Sequence, residues 1–206
     1  MTTATFWDGA AEKYAAQPVA DTAAFDRKKA FTRKHLSPSS NVLEIGCGTG
    51  SLALAMAKDA GHIHAVDISA EMVRIARNKK ERAGASNVTF HCSTLDEVRL
   101  PPLSFDVVWA YSILHLVDDR QAILDRCFTL LKPGGVLISS NVCLGDSWVP
   151  YRPVIAILRW LEKAPRVHFY GRDRISEELR RTGFVRVEEI DVGAKKLVAF
   201  MIAHKP

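Results

Sequence analysis

The run Val42-Leu43-Glu44-Ile45-Gly46-Cys47-Gly48-Thr49-Gly50 reads as a buried strand that empties into a glycine-rich turn and then a helix. Glycines at such a turn let the backbone take conformations closed to other residues, and they let a ligand approach without meeting Cβ atoms. Asp67 ends the next apolar run. A carboxylate there can accept hydrogen bonds from both hydroxyls of a ribose, so the two features together imply an adenosine-containing cofactor. Its identity is less automatic. Gly48-Thr49-Gly50-Ser51-Leu52-Ala53 also satisfies the G-x-G-x-x-[G/A] pattern of dinucleotide binders, which leaves nicotinamide and flavin cofactors as an alternative. Glu44, inside the strand, weighs against them. It repels a diphosphate and attracts a cationic sulfonium compound that carries an amino group.

The elements that must position these residues alternate in type. Seven β-rich runs, 42–45, 63–67, 88–91, 105–110, 136–140, 184–191 and 196–203, are separated for most of the chain by helical patterns. That alternation predicts an α/β protein with a doubly wound, mostly parallel sheet. The helix over 52–59 stops at Gly61. Ser69 is placed to cap a helix over 70–83, closed by Gly84. Asp118 or Asp119 begins a helix running to Leu131, where Pro133-Gly134-Gly135 ends it, and a further helix spans 173–182. Only Gly193 and its neighbours join the last two strands, too short a link for a parallel crossover, so the last strand must run antiparallel. Residues 1–40 are expected to form a helical cap over the sheet. The long connection 142–172, with Trp148, Tyr151, Trp160, Phe169 and Tyr170, reads as a functional insertion. The whole, 1–206, is expected to form one domain.

With these motifs in this order the chain resembles the class I S-adenosylmethionine-dependent methyltransferases of the small-molecule type, whose fold is Rossmann-like. Glu44 to Gly50 matches the family's first motif, Val66-Asp67-Ile68-Ser69 with Met72 its second, Phe105-Asp106-Val107-Val108 its fourth strand, and Leu131-Lys132-Pro133-Gly134-Gly135 its pre-strand turn. Phe6-Trp7-Asp8, followed by Ala11 and Tyr14, resembles its N-terminal cap. The resemblance implies S-adenosylmethionine as cofactor, with its methionine part against Gly46 and Gly48 and its amino group near Glu44. It implies Asp67 on the ribose, Ile68 and Met72 around the adenine, and Tyr14 on the cofactor's carboxylate, where the competing reading has it only anchor the cap. Tyr111, at the end of the fourth strand, either lines the methionine end or packs in the core. Where the family usually has an acidic residue for the exocyclic amine, this chain has Thr94, with Leu95 packing on the ring and Asp96 two residues on. The implied reaction is in-line displacement at the methyl carbon, for which alignment and exclusion of water are the main requirements. The other function classes are a dinucleotide-dependent oxidoreductase and a cofactor-binding regulator without turnover.

An acceptor that loses a proton needs a general base. His115, after the fourth strand, is the candidate; the competing reading packs it between Leu114 and Leu116. Trp7, Trp148 and Tyr151 are expected to face the acceptor. Arg152, Arg159, Lys163, Arg166, Arg172 and Arg174 could meet an anionic group on it, or form the solvated face of an amphipathic helix. Cys47 needs only its small size to explain it, and His62, His64 and His91 show no metal-ligand spacing, so no metal is expected.

The composition fits this reading. Hydrophobic residues make up 48% and charged residues 25% of 206, which excludes wholesale disorder. The net charge of +5 is spread along helices and gives no reason to expect a nucleic-acid partner. A small-molecule acceptor is the expected partner. No export signal or membrane span is visible, although Trp148, Trp160 and nearby bases would also suit contact with a membrane surface. The four cysteines form no framework, which suits a reduced, cytoplasmic setting.

Overall fold

Strand β1 (Asn41–Ile45) is buried from Val42 onward because it pairs in parallel on both sides, with β2 (His62–Asp67) and with β4 (Phe105–Tyr111). Around it the computed structural model, which describes every residue except Met1 and Pro18, builds a seven-stranded sheet in the order β3-β2-β1-β4-β5-β7-β6. β3 is Val88–Cys92, β5 Leu131–Val142, β6 Val185–Glu189 and β7 Val198–His204. β7 is antiparallel to both β5 and β6, as the short link at Gly193 requires. Side chains alternate across the sheet, so Val42, Val107, Trp109 and Ile138 pack on one face and Leu43, Ile45, Val108 and Leu137 on the other.

β5 starts earlier than the sequence suggests. Leu131 already pairs with Phe105, and the register then shifts before Val107 meets Val136, so Pro133-Gly134-Gly135 forms an irregularity within the strand. The helix before it, α5 (Arg120–Leu130), is capped by Asp119, whose Oδ1 accepts from the Ala122 N–H at 2.9 Å. α3 covers Ser51–Met56, and α4 covers Ala70–Ala83 between its Ser69 cap and Gly84.

Two helices form the expected cap. α1 (Thr3–Ala16) crosses α4, burying Ala11 against Met72 and Ile75. Asp8 fixes the crossing by accepting from the Ser69 hydroxyl at 2.6 Å and the Glu71 N–H at 3.1 Å, the amino end of α4 where a carboxylate is favoured. α2 (Thr22–Arg33) is tied to the sheet through Lys28 to Ser140 (2.8 Å) and Thr32 to Tyr111 (2.7 Å).

The connection 142–172 holds α6 (Tyr151–Trp160), which buries no residue. Behind it α7 (Arg172–Thr182) packs on α5. Glu178 of α7, buried, takes a bidentate pair from Arg120 at the start of α5 and a third bond from Arg174 at 2.8 Å. The Arg120 guanidinium also lies 3.9 Å from the centre of the Tyr170 ring. Burial pushes the Glu178 carboxyl up, but the hydrogen bonds and charges of Arg120 and Arg174 outweigh it and hold the group below its ordinary value. Its stabilising effect is therefore present above the ordinary carboxylate range and fades as pH falls through the lowered value. Replacing Glu178 by Ala strands Arg120, whose side chain is 13% exposed, and should cost about 3 kcal/mol of unfolding free energy at neutral pH. Urea denaturation measures it, and a loss below about 1 kcal/mol would mean the pair is effectively solvated.

Candidate active site

The sheet order reverses between β1 and β4, and a ligand crevice is expected outside the carboxyl ends of those strands. The glycine turn after β1 forms its floor. Gly46 (φ +65°) has no room for a side chain, because a Cβ there would stand 2.7 Å from Ile113. At Gly48 (φ +52°) a Cβ would meet nothing nearer than Tyr14 Cε1 at 3.9 Å, so this glycine faces open space. Asp67, at the end of β2, holds the turn: its Oδ2 accepts from the Gly48 N–H at 2.8 Å and its Oδ1 from the Ser69 N–H at 2.9 Å. Each oxygen keeps a second lone pair.

The crevice is about 390 Å³, ample for a small molecule. Ile68, Met72 and Leu95 give it apolar walls, α1 contributes Trp7 and Tyr14, and the end of β4 contributes Tyr111, Ser112 and Ile113. Ser112 holds a left-handed backbone (φ +56°), which costs a non-glycine residue roughly 1 kcal/mol and turns the chain sharply at the crevice wall. Four aspartates, Asp67, Asp96, Asp118 and Asp119, line the space, and among the described residues no lysine or arginine does.

Glu44 lies beneath the turn, 3% exposed, with its Oε2 lacking any hydrogen-bond partner among the described residues. Burial first, and then the nearby Asp67 charge, push its carboxyl up to about 8 against one opposing bond from the Ala53 N–H. A buried carboxyl with an unused oxygen has hydrogen-bonding capacity left for a donor.

A second cleft, of about 540 Å³, adjoins the first and shares Asp118 and Asp119 with it. Arg152 and Arg159 of α6, Arg166 and His168 of the following loop, and Arg174 and Arg181 of α7 line it together with Arg120. His168 Nε2 stands 3.0 Å from Asp118 Oδ1, and Arg166 reaches the same oxygen at 3.0 Å.

Residues 42–135 match the family model described as a methyltransferase domain. The ubiquinone biosynthesis O-methyltransferase of Idiomarina loihiensis is 30% identical over 80% of this chain and 69% of its own. The chain belongs to the class I S-adenosylmethionine-dependent methyltransferases. The enzyme of the same name from a Bradyrhizobium species is 32% identical over 68% of this chain but only 54% of its own, and the chain spans about half the length of several curated relatives it matches. Among solved structures, phosphoethanolamine N-methyltransferase 2 of Haemonchus contortus, in complex with S-adenosyl-L-methionine, superposes with a TM-score of 0.78 over all of this chain and 60% of that one. At 18% identity this likeness is one of fold.

Against that family pattern the structure sorts the expected residues. Tyr14, Gly46, Gly48, Asp67, Ile68, Met72, Thr94, Leu95, Tyr111 and Trp7 all reach the crevice, while Glu44 sits behind the turn. Thr94 spends its hydroxyl on Glu97 (2.8 Å), and Asp96 stands on the same wall. His115 is not part of the crevice wall. Its ring is partly buried, its Nδ1 has no partner among the described residues, and burial lowers its pKa to about 4, too low for a base tuned to neutral pH. Trp148, 93% exposed, and Tyr151 line neither cleft, although Arg152 and Arg159 of the same connection line the second. Arg172 is engaged by Asp146 and Glu189 instead of the basic cleft, and Lys163 does not line it. His168 and Arg181 escaped notice in the sequence, since nothing in their spacing links them to Asp118 or Arg152. Cys47 is inert, as its thiol is pushed well above the ordinary value by burial and then by Glu44.

Glu44 gives a pH test. Its folded value of about 8 lies above the ordinary 4.5, so between these limits the folded chain retains a proton that the unfolded chain has lost. Stability conferred by the neutral carboxyl must therefore fall as pH rises through that window. Glu44→Gln should abolish this slope in thermal melts recorded from pH 4.5 to 8. Equal slopes in the two proteins would mean that Glu44 is ionised in the fold.

Proposed function

We propose that the chain binds S-adenosylmethionine in the acidic crevice and catalyses methyl transfer to a hydroxyl group of a small molecule. The observation that carries this reading is the charge of the crevice. Four aspartates and, among the described residues, no lysine or arginine on the crevice wall favour a positively charged cofactor and oppose the diphosphate of a nicotinamide or flavin dinucleotide. The residues present fit the group. Asp67 has lone pairs left for two ribose hydroxyls, Met72, Ile68 and Leu95 offer apolar faces for an adenine, and the open face of Gly48 admits the chain that joins them.

Bound there, S-adenosylmethionine supplies a methyl group already activated by its sulfonium. The protein's part is then alignment and proton management. Trp7 and Tyr14 of the cap close the crevice from above, and Ser112 and Ile113 shape the wall towards the second cleft. Asp118 lies on the boundary between the clefts, and His168 is hydrogen-bonded to it, so we assign to His168 the acceptance of the acceptor's hydroxyl proton, with Asp118 orienting the ring. That the two curated relatives named above, from Idiomarina loihiensis and a Bradyrhizobium species, are O-methyltransferases supports a hydroxyl acceptor.

Titration calorimetry with S-adenosylmethionine, NADH and FAD tests the cofactor. The sulfonium compound alone should bind, and Asp67→Asn should weaken it at least about tenfold, the loss of roughly one charge-assisted hydrogen bond. Preferential binding of a dinucleotide would overturn the reading. In an assay of S-adenosylhomocysteine release with phenolic acceptors, His168→Ala should lower kcat on the order of a hundredfold, whereas His115→Asn should leave it within about twofold. The opposite ranking would return the role of base to His115.

A further inference from the structure

The second cleft is unlike the first in every respect that matters for recognition. Six arginines face three carboxylates there, and the carboxylates are not evenly shared. Glu178 is committed to Arg120 and Arg174, and Asp118 to Arg166 and His168. Asp119 uses Oδ1 to cap α5. Arg181 has only the neutral oxygen of Gln121 as acceptor, Arg152 lies over the ring of Phe169 at 4.9 Å, and Arg159 has no acceptor among the described residues. Three guanidinium groups from two separate elements, α6 and α7, thus line one concave space without an ion pair to a carboxylate among the described residues, and Asp119 offsets only part of their charge.

The three residues are exposed along one concavity, and guanidinium forks are suited to pairing with oxyanions. We propose that this cleft is an oxyanion site that takes a phosphate monoester, carried by the methyl acceptor, on Arg152, Arg159 and Arg181. The inference rests on the methyltransferase reading for the word acceptor, but the anion site stands on its own charges. A dianion matches the unneutralised surplus better than a single carboxylate does. The shared rim at Asp118 then places the rest of the acceptor between the anion site and the crevice, passing His168. The phosphate keeps the acceptor from entering the acidic crevice backwards, because four aspartates repel it there.

The same phosphate chemistry is presented by a free metabolite and by a lipid headgroup. α6 offers Val154, Ile157, Leu158 and Trp160 to solvent along its outer surface, so both sources enter the test. Binding of inorganic pyrophosphate, and sedimentation with vesicles of phosphatidylglycerol or of phosphatidylcholine, are compared for the native chain, for Arg152→Gln/Arg159→Gln and for Arg181→Gln. α6 buries no residue, so the double variant leaves the core untouched, and S-adenosylmethionine affinity reports that each variant is intact. The expected result is pyrophosphate binding that weakens at least about tenfold in both variants and falls steeply with salt, with S-adenosylmethionine binding retained or tightened. Binding only to phosphatidylglycerol vesicles, lost in the same variants, assigns the site to a headgroup and still supports it. Absence of both, or binding that survives the substitutions, overturns the proposal. Failure of S-adenosylmethionine to bind, with pyrophosphate binding intact, would refute the methyltransferase reading and leave the anion site standing.

Discussion

The carboxylate of Asp67 is the point on which the crevice depends. It sits at the end of β2, yet it holds the N–H of Gly48 from the turn after β1 and the N–H of Ser69 that begins α4. Three elements that diverge from the sheet are thereby fixed by one group. Ser69 in turn caps α4 and donates to Asp8, so the order passes on to the helical cap that carries Trp7 and Tyr14. Burial raises the Asp67 pKa above the ordinary value even though backbone N–H groups oppose it, a sign that its environment stabilises the anion incompletely until a further donor arrives. A ribose hydroxyl is such a donor.

The fold was legible because it is written in local patterns that repeat. Short β-rich runs, Ser69 and Asp119 as caps, and Gly84 as a stop each have one physical meaning, and the observed elements agree with them to within a residue or two. The short link at Gly193 forced the reversed strand for the same reason. β5 ran past its expected start because Leu131 could pair with Phe105 before the irregularity at Pro133, which depends on a neighbour distant in sequence. No pattern within 131–136 contains that information.

Within the site, legibility ended where elements from different parts of the chain meet. The cofactor-facing residues near the glycine turn lie on neighbouring strand ends, and the sequence order of a doubly wound sheet dictates that proximity. His115 was a reasonable candidate by position, but its neighbours Ile113, Leu116 and Val117 line the crevice while its own partly buried ring does not. The pairing of His168 with Asp118 spans fifty residues, and Arg181 reaches the cleft only because α7 packs on α5. These are tertiary facts with no periodic trace.

Two adjoining clefts of opposite charge constrain each other. With Asp118 on their common rim, the negative potential of the crevice extends towards the arginines, and part of their repulsion is relieved across the boundary. A bound sulfonium cofactor would reduce that relief, since it neutralises the crevice. The arginines would then attract an anion more strongly when the first cleft is filled than when it is empty. The coupling is reciprocal by linkage: an anion in the basic cleft must tighten a cation in the acidic one by the same factor. Electrostatics alone therefore favours simultaneous occupation of both clefts, with a cation in the one and an anion in the other on either side of Asp118.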